Sequence, residues 1–355
     1  MRCYSNDYMR CITALTTGEL TTLFASWGHP PFRTRQVHHC LYRQGVCSFD
    51  EMHTLPIDLR DRLKGHCTLS SLHCREIRQS RDGTRKFLFS LHDEALIETV
   101  AIREGDRLTL CLSTQSGCRQ GCKFCVTGTL GFQRSLQHHE ISDQVLEVMR
   151  SVKQERVTNI VLMGMGEPLD NYDQTIHAVK SLIDPDRFGF HPRRITLSTV
   201  GIIPGIDRLA TENLGIRLAV SLNAPTDRIR DALMPINRTY PLGPLRACLR
   251  RYPVPPRQRI TIEYCVIRGI NDSHTCAVDL TSLLRAMRDR IAVNLIPYNA
   301  NPFLPFQAPE RECVEYLQAY LEEKGMMAFI RKSRGADILA ACGQLGAQCR
   351  EMPGE

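Results

Sequence analysis

Residues 108–125 read LTLCLSTQSGCRQGCKFC, a strand-like apolar run from Leu108 to Ser113 that passes directly into a polar, cysteine-bearing turn. Similar junctions recur down the chain. Apolar runs of strand length follow at Asn159 to Met163, Ile195 to Ser198, Ile216 to Leu222, Ile260 to Val266 and Ile291 to Ile296, alternating with helical segments. Six β-α units of this kind predict a parallel sheet wrapped by helices, as an open doubly wound sheet or as a full or partial barrel. Polar and glycine-rich residues gather just after the strands, at Ser113 to Cys125, Gly164 to Glu167, Ser198 to Gly201, Ser221 to Asn223 and Pro297 to Asn299. The carboxyl ends of parallel strands form the functional edge of such folds, so all five clusters are expected to face one site.

Upstream the pattern differs. Helical signals at Leu20 to Trp27, Arg33 to Arg43 after two prolines, and Ile57 to Lys64 after Pro56 predict a small helical domain over residues 1–80. Residues 81–106 read as a connecting hairpin, with strands Lys86 to Leu91 and Leu96 to Ile102. In the second strand the period of two puts Leu96, Glu98, Val100 and Ile102 on one face, so the Glu98 carboxylate shares a side with apolar neighbours. Residues 107–340 make the main α/β domain, and 341–355 a tail.

The 355 residues are 43% hydrophobic and 23% charged, which fits a globular chain and excludes a disordered or fibrous one. A net charge of +7 is compatible with a polyanionic partner without requiring one. The longest charge-free stretch, Ile291 to Pro309, carries four prolines and is not a membrane span. The first residues lack the apolar core of a secretory signal, so a cytoplasmic protein is expected. Sixteen cysteines in such a chain point to metal or redox chemistry rather than to a disulfide framework.

Cys118, Cys122 and Cys125 are spaced CxxxCxxC. Three thiolates within eight residues suit one inorganic centre. A structural zinc site needs four ligands, whereas an iron–sulfur cube held by three cysteines keeps one iron open for a ligand. The motif, placed after the first strand, resembles the radical S-adenosylmethionine (SAM) superfamily, and GMGEP at Gly164 to Pro168 is similar to its glycine and glutamate motif. RRITLSTVGIIPGI, LAVSLNAPTDRIRDALMPINRTYPL, IEYCVIRGINDS, VNLIPYNA and RKSRGADILAACGQL narrow the resemblance to the RlmN/Cfr family of adenosine methyltransferases, and FRTRQVHHCLYRQGVCSFDEM resembles its helical amino-terminal domain.

That resemblance implies a partial (β/α)6 barrel binding a [4Fe-4S] cluster through Cys118, Cys122 and Cys125. It places SAM against Gly166, Glu167, Ser198, Ser221, Leu222, Asn223 and Asn299. It further implies that Cys342 carries a methyl group, that Glu98 is the base removing the ring proton, and that Cys111 is the resolving thiol. Release then passes through a Cys111–Cys342 disulfide, for which the two must come within bridging distance at some stage of the cycle. The implied partners are ribosomal RNA, with transfer RNA as a second substrate, and an external electron donor such as a flavodoxin or ferredoxin, around a monomeric enzyme.

Carbon 2 of adenine is the expected target, as in RlmN-like members, with carbon 8 the Cfr-like alternative. An iron–sulfur protein that binds RNA without turnover is the reading from another class, and it has no use for Cys111, Glu98 and Cys342. The chain departs from better-known members in reading SLN for SLH at Ser221 to Asn223 and PYNA for PWNP at Pro297 to Ala300. Arginines 331 and 334, just before Cys342, are the leading candidates for RNA phosphate contacts. Cysteines outside these motifs, including Cys40, Cys47, Cys248 and Cys265, are assigned to packing, and the pairs His38-His39 and His138-His139 to roles other than metal binding.

Overall fold

The computed structural model describes residues 9–152 and 155–351; the opening residues and the last four of the expected tail lie outside this range. One ten-stranded sheet organises the chain. Its strands are β1 (His73–Gln79), β2 (Arg85–Ser90), β3 (Leu96–Glu104), β4 (Arg107–Cys111), β5 (Asn159–Leu162), β6 (Ile195–Thr199), β7 (Arg217–Ser221), β8 (Ile260–Val266), β9 (Ile291–Pro297) and β10 (Ala328–Ile330). They lie side by side in sequence order. β1 to β4 pair antiparallel, and β4 to β10 are parallel.

Strand order decides between the architectures that the spacing leaves open. A doubly wound sheet reverses its order at a switch point, placing helices on both faces. Here the order never reverses, so right-handed crossovers carry every helix to the same side, as in a barrel. The sheet does not close, since β1 and β10 are both edges. This is a partial barrel. The six expected strands are all present, and two that the sequence reading lacked, β1 and β10, extend the sheet at its two ends.

The amino-terminal helices Thr17–Ser26, Phe32–His38 and Ile57–His66 follow the expected signals closely. Thr16 caps the first through a capping box with Glu19, which satisfies amide donors that the first turn leaves free. The helical layer shares one hydrophobic core with the barrel. Buried Asp143, on the helix His138–Ser151, accepts from the Ser71 amide at 2.9 Å and hydroxyl at 2.8 Å, while Arg43 donates to the carbonyls of Pro185 and Phe188, both at 2.8 Å.

Register places the chemistry-bearing strand residues together. Val100 lies opposite Lys86 on one side and Cys111 on the other, and Cys111 lies opposite Val161. By the period of two, Glu98 shares their face. The alternate residues Phe87, Phe89, Ile97, Ala101 and Leu110 join the helix-covered core. On the face of Glu98 and Cys111, the cover is the carboxyl-terminal segment itself: Ile338, Ala340, Leu345 and Cys349 pack against Val100, Cys111, Met163 and Met165.

Candidate active site

A cavity of about 990 Å³, measured out to its mouth, opens at the carboxyl ends of the parallel strands. Four of the five polar clusters contribute expected residues to its wall: Cys118, Cys122 and Cys125, then Gly164, Gly166 and Glu167, then Ser198, then Ser221 and Asn223. The fifth cluster is represented by Tyr298, and Cys342 enters from the tail.

Cys122 is buried, Cys118 and Cys125 are half-buried, and the three are close enough that their thiolates would repel one another. Burial, followed by a hydrogen bond that opposes it and by the charges of Cys125 and Glu167, pushes Cys118 up to about 12. Burial and the other two thiols push Cys122 far up as well, and burial raises Cys125. Such a set stays protonated unless positive charge arrives among the sulfurs, which iron supplies. Among the described residues, no group of three His, Cys, Asp or Glu side chains is arranged around a single metal ion.

The glycines beside Glu167 have a steric reason. The loop 112–115 runs against them, so a Cβ on Gly164 would stand 2.6 Å from the Leu112 carbonyl oxygen, and one on Gly166, at φ +98°, 2.6 Å from the Gln115 Cβ. Glu167 is held on both oxygens, Oε1 accepting from the Leu169 amide at 3.0 Å and Oε2 from the Val200 amide at 2.8 Å. Burial nonetheless lifts its pKa to about 7. The carboxylate is therefore short of positive charge, as suits the receptor of a cationic amino group.

Asn223 adopts φ +57°, a conformation asparagine tolerates better than most residues. Its Oδ1 accepts from the Cys265 amide at 2.9 Å, so the asparagine of SLN ties the ends of β7 and β8 together. Leu222 and Asn299 stand outside the cavity wall. Leu222 is 3% exposed and spends its amide on the Glu263 carbonyl, whereas Asn299 donates to the Cys342 carbonyl at 3.2 Å. Asn299 thus touches the backbone of Cys342 rather than the cavity.

Cys342 sits between Asn299 and the three-cysteine loop, where the Val126 amide donates to the Gly343 carbonyl at 2.8 Å and Thr127 Oγ1 to the Leu345 carbonyl at 2.6 Å. Cys111 lies beneath it; burial and then the charge of Cys342 push its thiol up to about 12, with Arg331 opposing. Every described cysteine is a free thiol, so the expected Cys111–Cys342 disulfide is not formed in this state. Glu98 is wholly buried, and burial outweighs Lys86 in raising its pKa.

Sequence reasoning missed several residues here. Arg230, in the helix Asp227–Leu233, is 0% exposed and donates to the carbonyls of Val200 at 2.6 Å, Leu222 at 3.1 Å, Tyr240 at 3.2 Å and Ser221 at 3.4 Å, and to Asn237 Oδ1 at 3.0 Å. It fastens the ends of β6 and β7 to the turn that follows its own helix, behind the cavity. Lys86, also 0% exposed, lies 3.4 Å from Glu98 Oε2, and its place on the same face of an apolar strand was a usable signal. Arg331 corrects the RNA-phosphate expectation: its guanidinium turns into the cavity wall, toward Cys342, Glu263 and Cys111. Two of the remaining cysteines, Cys47 and Cys74, are exposed, so the packing role fails for them.

Residues 112–278 match the Radical SAM superfamily and residues 12–69 the Ribosomal RNA large subunit methyltransferase N-terminal domain. The fold and site are those of a radical SAM enzyme. The chain is 44% identical over 339 residues to the dual-specificity RNA methyltransferase RlmN of Geobacter sulfurreducens, covering 96% of this chain and 92% of that protein. It is 44% identical to the protein of the same name from Syntrophobacter fumaroxidans, covering 95% and 98%. A crystal structure of a radical SAM methyltransferase from Sphaerobacter thermophilus superposes with a TM-score of 0.91 at 43% identity, covering 95% of this chain and 99% of that one. The chain belongs to the RlmN family of radical SAM RNA methyltransferases, enzymes that use a [4Fe-4S] cluster and SAM. Among the described residues, no helix is long and apolar enough to cross a membrane.

Proposed function

We propose that this enzyme methylates carbon 2 of an adenosine in large-subunit ribosomal RNA, and in transfer RNA as a second substrate, through a methyl group carried on Cys342. One observation carries the reading: the tail thiol opens into the same cavity as the three-cysteine loop and lies over Cys111. Cys118, Cys122 and Cys125 would hold the cluster, while Gly166, Glu167, Ser198, Ser221 and Asn223 would receive SAM. When bound and reduced by an external donor such as a flavodoxin or ferredoxin, these groups supply a methyl group and a radical able to remove a hydrogen atom from it.

The chain supplies the rest. Asn299, Val126 and Thr127 fix the backbone at Cys342 and just after it, which limits the reach of its sulfur to the cavity. Glu98 accepts the ring proton; burial among apolar strands makes it a stronger base than an exposed carboxylate. The Cys111 thiolate then attacks the Cys342 sulfur: an S–S bond forms as the S–C bond to the nucleotide breaks, and the departing carbon keeps the bonding pair and takes up a proton to become the methyl group. Arg331 is the cation beside both thiols and favours the thiolate that attack requires.

Retention of carbon 2 as the target follows from the family, with carbon 8 as the alternative outcome. Cys111→Ala tests the relay: RNA should remain covalently attached to Cys342. Recovery of free methylated RNA at the normal rate would overturn the resolving role.

A further inference from the structure

Where Glu98 meets the tail, one buried cation touches both. Lys86 Nζ is 3.4 Å from Glu98 Oε2 and donates to the Leu339 carbonyl at 3.2 Å. Leu339 lies three residues before Cys342 and adopts φ +54°, a conformation that leucine avoids and that persists only where its surroundings enforce it. The other Glu98 oxygen accepts from the Gln348 amide at 3.0 Å, on the far side of Cys342. The carboxylate and the ammonium thus bracket the methyl-carrier segment from beneath.

Other contacts would anchor the tail without either group. Asp82 accepts from the Gly335 amide at 3.0 Å and Ser80 donates to Asp337 at 2.5 Å, both on the hairpin side. A buried lysine is not needed for attachment alone. It needs a different reason, because an ammonium is costly to desolvate and a methionine of the same shape would pack as well.

We propose that Lys86 is a positioning residue that clamps the proton-accepting carboxylate of Glu98 and the start of the methyl-carrier segment on one buried ammonium. The inference rests on the reading of Glu98 as the group that takes the ring proton. Lys86 keeps that carboxylate charged and aimed until the RNA carbon arrives on Cys342; the proton then moves from ring carbon to Glu98, and Lys86 itself transfers nothing. The other titratable groups facing the pair are Cys349 of the tail and Glu76 of β1, which also holds the Gln348 side chain. Neither can replace the cation.

The test compares Lys86→Met with Lys86→Arg in the full-length, reconstituted enzyme. Hydrogen exchange reads the clamp without turnover: amides of residues 340–348 should exchange at least about tenfold faster in the Met variant, an opening easier by one decade in its equilibrium constant, and near the parental rate in the Arg variant. Decay of the protein–RNA adduct against pH reads the base: its midpoint should rise by about 1–3 pH units in the Met variant, the size of effect an adjacent opposite charge has on a carboxylate. Arginine should restore it. A packing role predicts the reverse order, with Met tolerated and Arg disruptive, and that result overturns the proposal, as does an unchanged tail in the Met variant. Should the Met variant fail to fold, the Arg variant still decides, since loss of tail protection there refutes the clamp. Absence of adenosine methylation by the parent enzyme would count against the proposed function, while hydrogen exchange would still judge the clamp.

Discussion

Replacing Arg230 with methionine should destabilise the cofactor-free protein by about 3–5 kcal/mol. The guanidinium makes five hydrogen bonds in a region from which it is wholly excluded from water, and those to Val200, Asn237 and Leu222 are well formed at 2.6, 3.0 and 3.1 Å. Hydrogen bonds from a charged donor contribute about 1.5–3 kcal/mol each. Burial works against them: it lowers the pKa of Arg230 to about 10, a drop worth roughly 3 kcal/mol. The bonds outweigh that cost, and the loss expected on leaving their acceptors dry falls where removal of one member of a buried charged network usually does. Urea denaturation of the apo protein measures it as a lower midpoint with an unchanged slope. Because Val200, Ser221 and Leu222 belong to the loops around the cavity, SAM affinity should fall with it. A loss below about 1 kcal/mol would show that water or local rearrangement satisfies the carbonyls, and the idea of Arg230 as fastener would be wrong.

Two further outcomes follow from the same wall of the cavity. Gly166→Ala should cost about 1–3 kcal/mol in thermal or urea unfolding, since any side chain there is strained at φ +98° and meets Gln115; an unchanged midpoint would refute the close approach. Glu167 binds its proton more tightly folded, with a pKa of about 7 against an ordinary 4.5, so its contribution is full below pH 4.5 and is lost as pH rises through 7. Apo protein should therefore lose about 3 kcal/mol relative to Glu167→Gln between pH 4.5 and 8, and parallel stability curves for the two would contradict the buried carboxyl.

Much of this was legible in the sequence because strands buried by a helical layer leave apolar runs, and the residues that follow them are freed to be polar. The six expected strands and the convergence of Cys118, Gly166, Ser198 and Ser221 on one cavity follow from that alternation. β1 escaped notice because its exposed positions, His73, Cys74 and Arg75, give an edge strand no apolar signature, and three-residue β10 is too short to show a period. Arg230 was invisible for another reason: in DRIRDAL nothing separates a solvated arginine from one buried against carbonyls contributed by distant loops. Lys86 and Glu98 were the reverse case. Each is a charge at an inward position of an apolar strand, and register makes the two neighbours on one face. Leu222 and Asn299 make contacts that no motif reveals, with Glu263, Arg230 and the Cys342 backbone.

The central claim is that carbon passes from SAM to the tail thiol and then to a nucleobase. Mass spectrometry of the Cys342 peptide and of digested nucleosides, taken from one reaction with methyl-labelled SAM and a ribosomal RNA fragment, follows that carbon directly. Labelled S-methyl-Cys342 should appear first and decline as labelled 2-methyladenosine accumulates. Labelled adenosine formed while Cys342 stays unmodified, or formed equally by Cys342→Ala, would contradict the account.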